Sequence, residues 1–252
     1  MRDPNLMNEV EYNNKDIQII VMDNIPDYDI EDYDLFDDKD FKKYIADIEK
    51  AVRLSFEYRQ LIGYLRENMD FNKCSFYKNV NNINTTKIKI EIHHHPFTLY
   101  DLCMIVYNKR VFYHESLEVE MVAKEVMFLH YNMFVGLIPL AQTVHELVHN
   151  QYLFIPMNYV MGKFHEFMEQ YNEFIPIEVL DIFEKNVEFT EKYNENEEIE
   201  VLKRKYIYLD LTGAYNFPNI TDVVQLMSNK INDLRQSRSN TNLPPAIIFF
   251  DK

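Results

Sequence analysis

Two histidines four residues apart offer the clearest chemistry in this sequence. His145 and His149 lie in the segment Thr-Val-His-Glu-Leu-Val-His at positions 143–149. On a helix, this spacing places both imidazoles on one face, one turn apart, where they can bind one metal ion. Thr143 and Glu146 have the spacing of a capping box, so we expect the helix to begin at this threonine.

The residues from His145 to His149 also match the H-E-x-x-H pattern of zinc peptidases. In a peptidase, Glu146 would be the general base, and a third ligand would have to come from further along the chain. The next predicted helix carries suitable carboxylates at Glu166, Glu169 and Glu173. This interpretation gives no role to the histidines upstream, so we keep it as an alternative.

A second group of histidines lies upstream, in Glu-Ile-His-His at positions 91–94. It ends a strictly alternating segment, residues 87–93, that is typical of a half-buried strand. The segment Gly-Leu-Ile-Pro-Leu at positions 136–140 then leads into His145. Together these segments resemble the HNH endonuclease family, whose pattern reads roughly E-x-H-H, N-L-x-P-L and H-x-x-x-H. The resemblance covers residues 74–150.

The resemblance implies a ββα-metal core in a DNA endonuclease. By position, His93, His145 and His149 would bind one divalent metal ion, and His94 would be the general base that takes a proton from water. His95 leaves open a shifted register in which His94 and His95 are the working pair. Three imidazoles favour Zn²⁺, Ni²⁺ or Mn²⁺ over Mg²⁺, although the catalytic ion could still be Mg²⁺.

One departure from the family pattern concerns Gly136, which stands where the family has an Asn that orients the base. Glycine has no side chain for this task, so Asn132, Asn150 or Glu91 would have to replace it. The substitution Gly136→Asn is expected to restore the missing group if the chain is a nuclease that has lost catalysis.

Composition limits the partners of this chain of 252 residues. The net charge of −15 argues against a broad electrostatic contact with DNA. Half of the positions from Asp23 to Asp40, nine of eighteen, are acidic. This segment is a solvated loop, a contact for a basic partner or a mimic of nucleic-acid charge. A contact for a basic protein suits a non-catalytic interaction protein whose core is held together by metal. The best candidates for DNA phosphate contacts are basic residues near the C-terminus: Lys203, Arg204, Lys205, Arg235 and Arg238.

The location predicted from the sequence is the cytoplasm, of the host cell if a phage encodes the chain. Cys74 and Cys103 are too few for a Cys₄ zinc site and are expected to be reduced thiols. The polar start predicts no signal peptide, and no apolar run reaches the roughly 18 residues that span a bilayer. The many Asn, Lys and Ile residues resemble the product of an AT-rich genome, which is compatible with a bacteriophage.

The fold class predicted is α+β, with an HNH-like core extended by mainly helical segments. We expect an acidic N-terminal segment with a long helix in residues 1–73, the core with a helical insertion in residues 74–157, and an α/β extension in residues 158–252. The predicted helices span 41–68, 98–110, 116–133, 158–172, 176–186 and 221–236. Strands are predicted at 17–22, 205–211 and 246–250, and a charged connection at 188–200.

Overall fold

The structure is a computed structural model, and it describes Met22, residues 25–76, Asn81, residues 88–150 and residues 152–194. This part of the chain is mostly helical with one two-stranded antiparallel sheet, which confirms the α+β class. The order is α1 (Asp38–Leu54), α2 (Phe56–Asn68), β1 (Ile90–His94), α3 (Leu99–Phe112), α4 (Val119–Tyr131), β2 (Leu137–Ala141), α5 (Gln142–His149), α6 (Phe164–Tyr171) and α7 (Ile177–Asn194).

The predicted long helix is broken at Ser55 into α1 and α2, so the prediction of one continuous helix is wrong. Ser55 is fully buried and has an extended ψ of 149°. Its hydroxyl donates to the carbonyl oxygen of Val52 at 2.7 Å and accepts from the backbone N–H of Tyr58 at 3.1 Å. A serine side chain that bonds nearby backbone groups replaces the helical ladder, which is why the helix ends there and a new one begins.

The two strands bring the histidine segments next to each other. β1 pairs with β2 so that His93 is opposite Ile138 and His94 is opposite Leu137. Every residue of β2 is buried. The helix α5 begins at Gln142, directly after the last residue of β2, so the pairing of the strands also positions this helix relative to β1.

The insertion between the strands forms α3 and α4, as expected. Thr98 caps α3 in a capping box with Asp101. The next helix begins later than predicted, because Glu118 rather than Ser116 is its N-cap. The hydroxyl of Ser116 instead accepts from the backbone N–H of Glu118 at 3.3 Å, just ahead of the helix.

A buried ionic cluster joins the insertion to α6. Glu125 on α4 has a fully buried side chain. Its carboxylate lies 2.6 Å from Arg110 Nη1 and 3.2 Å from Lys109 Nζ, and it accepts from the hydroxyl of Tyr171 at 2.8 Å. A second carboxylate, Glu115, lies 2.9 Å from Lys109 Nζ. Opposite charges and hydrogen bonds therefore compensate the cost of burying these groups.

The C-terminal part of the described chain differs from its prediction in two places. Residues 158–172 form the end of a short 3₁₀ helix, Met157–Tyr159, and then α6, rather than one helix. The last helix, α7, continues to Asn194, so the predicted charged connection begins as helix. Apart from Met22, the predicted elements at 17–22, 205–211, 221–236 and 246–250 lie outside the described residues.

One hydrophobic core runs through the described chain. Buried apolar side chains from Met22 to Val187 form a single cluster, to which α1, α4, the sheet and α7 all contribute. Cys74 and Cys103 are buried in it as free thiols. Within the described residues, no helix combines the length and the apolar character that crossing a bilayer requires.

Removing the central carboxylate of the ionic cluster should destabilise the fold. Glu125→Ala leaves Arg110 and the hydroxyl of Tyr171 without their buried acceptor, so we expect a loss of about 3–5 kcal/mol in the free energy of unfolding. Urea denaturation measures it. The matched control is Glu120→Ala on the same helix, since the Glu120 side chain is 50% exposed. Its effect should stay within about 0.5 kcal/mol, and equal effects of the two variants would contradict the role given to Glu125.

Candidate metal centre

The three histidines predicted as metal ligands lie together. The ligand atoms of His93, His145 and His149 all fall within 4.8 Å of one another. The ring centre of His93 is 4.9 Å from that of His145 and 5.3 Å from that of His149. His93 comes from β1, while the other two occupy one face of α5 with ring centres 4.3 Å apart. The strand pairing and the helical spacing therefore converge on one point.

A carboxylate behind the cluster sets the orientation of one imidazole. The Oε2 atom of Glu91 lies 2.6 Å from Nδ1 of His145. Because a carboxylate accepts, Nδ1 of His145 carries the proton and Nε2 is left with its lone pair. That Nε2 lies 3.0 Å from Nε2 of His149. Carboxylates commonly hold metal-binding histidines in this way, and sequence reasoning had considered Glu91 only as a substitute for the missing Asn.

Burial lowers the pKa of two of these imidazoles, those of His93 and His145. Burial, followed by the neighbouring His95, His145 and His149, lowers the pKa of His93 to about 3. Burial and the nearby His149 also lower the pKa of His145, although Glu91 opposes this shift. A neutral imidazole binds a metal without first losing a proton, so the lowered pKa values leave His93 and His145 available to an ion at pH 7.

The donor set fits one divalent transition-metal ion. With metal–nitrogen bonds of about 2.0–2.1 Å, tetrahedral ligands are roughly 3.3 Å apart. The 3.0 Å between the Nε2 atoms of His145 and His149 is close to this spacing. Three protein ligands leave at least one coordination position for water or substrate, the arrangement of catalytic rather than structural zinc sites. His149 is exposed, so the cluster lies at the surface.

The predicted general base lies on the other side of β1. His94 is 5% exposed, and its ring stacks on that of Tyr58 with 6.4 Å between ring centres. Its Nε2 lies 2.9 Å from Nε2 of His130. His95 shares the face of His93, with ring centres 6.3 Å apart. The buried Nε2 of His95 has no hydrogen-bond partner among the described residues.

Gly136 allows a close approach of two chain segments. A Cβ atom at this position would lie 1.8 Å from the carbonyl oxygen of His95 and 2.7 Å from Cγ1 of Val160. A side chain fits here only if the backbone moves, so Gly136→Asn would disturb this approach before it could restore the missing group. The amide of Asn132 donates to the carbonyl oxygen of Phe128 rather than contacting a histidine.

Two features predicted around α5 are not found among the described residues. The predicted capping box is absent, because the N-cap is Ala141 and no side chain caps the helix. Glu146 is exposed and accepts from the side-chain amide of Gln142 at 3.2 Å. The ligand cluster contains His93 as its third member and none of the three carboxylates considered for a peptidase, Glu166, Glu169 and Glu173.

The residues predicted to contact DNA lie outside the described part of the chain: Lys203, Arg204, Lys205, Arg235 and Arg238. The acidic segment is described from residue 25 onwards. There Asp37 caps α1 by accepting from the backbone N–H groups of Lys39 and Asp40. Asp29 caps the short 3₁₀ helix Ile30–Asp32 in the same way.

A comparison with known families identifies the relatives of this chain. Residues 2–213 match the model of a family described as bacteriophage G278-like virion protein. The chain belongs to this family. The match confirms the predicted phage origin and covers α1 to α7 with both strands. No curated protein and no solved structure matches the chain.

The metal content of purified protein should depend on the two helical ligands. Wild-type protein is expected to bind one divalent ion, and His145→Ala or His149→Ala should abolish stoichiometric binding, because two imidazoles hold an ion poorly. A metal at 100 times its dissociation constant should stabilise the wild type by about 2.7 kcal/mol and leave these variants unaffected. Elemental analysis and thermal melting measure both effects.

The control for this experiment is His114→Asn, since His114 is exposed on the turn after α3. Asn tolerates the positive φ of 54° found there. Undiminished metal content in the His145→Ala and His149→Ala variants would contradict the assigned site.

Proposed function

We propose that this phage protein hydrolyses phosphodiester bonds of DNA with a divalent metal ion held by His93, His145 and His149. The observation that carries the proposal is the cluster of three imidazoles at the end of a strand–strand–helix unit. A carboxylate orients one ligand, and the exposed ligand opens the cluster to substrate. The HNH resemblance links this arrangement to nucleases.

Each residue has a distinct task in this proposal. The three imidazoles fix the ion, and Glu91 holds His145 in the tautomer that a ligand needs. When bound, the ion supplies positive charge that polarises the phosphate and stabilises the leaving oxygen. His94, which follows His93 on β1, takes the proton of the attacking water. For this step its side chain must leave its contacts with Tyr58 and His130 and reach the face of β1 that carries the cluster.

The hydrolysis step balances with water as its only co-reactant. The oxygen of water forms a bond to phosphorus while the lone pair of His94 takes one of its protons. The bond from phosphorus to the ester oxygen breaks with its electron pair, and this oxygen takes a proton from solvent. His94 then releases its proton to solvent and is ready for another turnover.

The net charge of the chain is −15, so contact with DNA in this proposal depends on a few basic side chains near the C-terminus. Residues 203–238 supply the phosphate contacts, which makes binding strongly dependent on salt. The family description supports a place in the phage particle, and we propose this location instead of the host cytoplasm.

A non-catalytic virion component is the second candidate. The observation that favours it is the burial of His94, which contacts Tyr58 and His130 in the core. In this case the ion would only fasten α5 to β1, and the acidic segment from Asp23 to Asp40 would contact a basic protein of the particle. This candidate predicts metal binding without hydrolysis.

Two substitutions separate the nuclease from its alternatives. In the nuclease, His94→Ala should leave the metal content intact and slow the nicking of plasmid DNA by about 10²–10⁴-fold, the usual contribution of a positioned base. Glu146→Gln should change nicking little, because the exposed Glu146 has no part in the reaction. Nicking by metal-loaded protein with Zn²⁺, Ni²⁺, Mn²⁺ and Mg²⁺ is the measurement.

The opposite pattern would contradict the proposal. Loss of hydrolysis in Glu146→Gln, together with cleavage of a peptide substrate by the wild type, would support a peptidase. Stoichiometric metal with no hydrolysis of DNA under any of the four ions would support the non-catalytic virion component.

A further inference from the structure

Two aromatic side chains are exposed just after the last histidine of the metal cluster. Tyr152 is 80% exposed and Phe154 is 45% exposed. They follow His149, which is itself exposed, along the same stretch of chain. Large aromatic side chains dominate the energetics of binding surfaces, so two of them open to solvent beside a candidate site are suited to contact a ligand.

Backbone hydrogen bonds hold this stretch against the end of α5. The N–H of Tyr152 donates to the carbonyl oxygen of Leu147 at 2.9 Å, and the N–H of Leu153 donates to the same oxygen at 3.2 Å. Three residues of chain span at most about 11 Å, so the Cα atom of Tyr152 lies no farther than this from that of His149. A ligand with one group at the metal cluster can therefore reach the ring of Tyr152 with a neighbouring group.

A contact with α7 fixes the second ring. The ring centre of Phe154 lies 4.9 Å from that of Phe189, and the two rings are tilted by 32°. Phe154 nevertheless keeps nearly half of its surface exposed. A side chain that is already held in place loses less conformational entropy when a ligand binds to it.

The charge of the chain favours a ligand that is held by its rings rather than by its phosphates alone. A net charge of −15 opposes broad contact with any nucleic acid backbone. Stacking of a nucleobase on an aromatic ring needs no positive charge, and every base has a face that can stack. In a duplex these faces are covered by neighbouring base pairs, whereas in a single strand they are accessible to aromatic side chains.

We propose that Tyr152 and Phe154 form a stacking platform for unpaired bases, so that the substrate of the metal centre is single-stranded DNA. The assignment of a substrate rests on the nuclease function proposed above, whereas the affinity for single strands does not depend on it. A phosphate of the strand lies at the metal cluster, and bases next to this phosphate stack on the two rings. Stacking supplies affinity that the acidic surface cannot give.

The experiment measures binding apart from cleavage. Full-length protein loaded with Zn²⁺ is titrated into fluorescein-labelled oligothymidine with phosphorothioate linkages, which hydrolyse slowly, and into the duplex of the same strand. Fluorescence anisotropy gives the dissociation constants. The variants are Tyr152→Ala, which removes a ring, Tyr152→Leu, which keeps apolar surface without a ring, and Tyr152→Phe, which keeps the ring.

The matched control is Phe36→Ala. Phe36 is exposed to the same 80% as Tyr152. It lies in the acidic segment between Asp34 and Asp37, whose carboxylates repel a phosphate backbone. Removal of this ring should leave the affinity for the single strand unchanged.

Wild-type protein should bind the single strand more tightly than the duplex. Tyr152→Ala should weaken single-strand binding by about 5–100-fold, the usual effect of losing one contact between a base and an aromatic ring. Tyr152→Leu should weaken it as much, and Tyr152→Phe should bind like the wild type. The loss should be similar at low and high salt, because stacking releases no counterions. The metal content of all variants should stay unchanged.

Equal affinity of the wild type for single strand and duplex would overturn the inference, and so would unchanged single-strand binding in Tyr152→Ala. Full affinity in Tyr152→Leu would also overturn it, because an apolar surface that needs no ring fits contact with a protein rather than stacking.

Cleavage of unmodified oligothymidine separates this inference from the nuclease function. Binding as expected without cleavage would support the stacking platform while the nuclease function fails. Cleavage of duplex and single strand at equal rates by both the wild type and Tyr152→Ala would support the nuclease while the platform fails.

Discussion

The pairing of β1 with β2 is the constraint on which the candidate site depends. Because α5 starts directly after β2, the register that sets His93 opposite Ile138 also sets the distance from His93 to the helical histidines. A slip of one residue would turn every side chain of β1 to the opposite face. His93 would then enter the core, and the predicted base would face the helix. The contact between Glu91 and His145 is a second link between β1 and α5, and it requires the same register.

Local patterns predicted much of this arrangement from the sequence. Helical spacing of His145 and His149, alternation ahead of His93 and the helical pattern of residues 98–110 each depend on neighbours within one or two turns. The break at Ser55 was missed because a buried hydroxyl competes with the helix only when the surrounding core forces it. Contacts between distant segments, such as the close approach at Gly136, leave no local pattern in a single sequence.

Adjacent histidines in this chain meet opposite environments. His93 faces α5 and a cluster open to solvent, while His94 faces Tyr58 and His130 in the core. A strand that runs along the edge of a core produces this division, since successive side chains point to opposite faces. The sequence resemblance assigns both residues to one reaction. The alternation of side chains along the strand gives them separate partners in the fold. Metal binding on the face of His93 therefore does not by itself bring His94 to the same site.

X-ray absorption spectroscopy at the metal edge of the loaded protein tests the central claim most directly, because it reports the ligands of the ion without reference to activity. Binding by His93, His145 and His149 predicts three imidazole nitrogens at about 2.0–2.1 Å, with the multiple-scattering pattern of histidine rings and a remaining light-atom ligand. A shell of oxygen ligands without imidazole scattering, or a sulfur ligand at about 2.3 Å, would contradict the account.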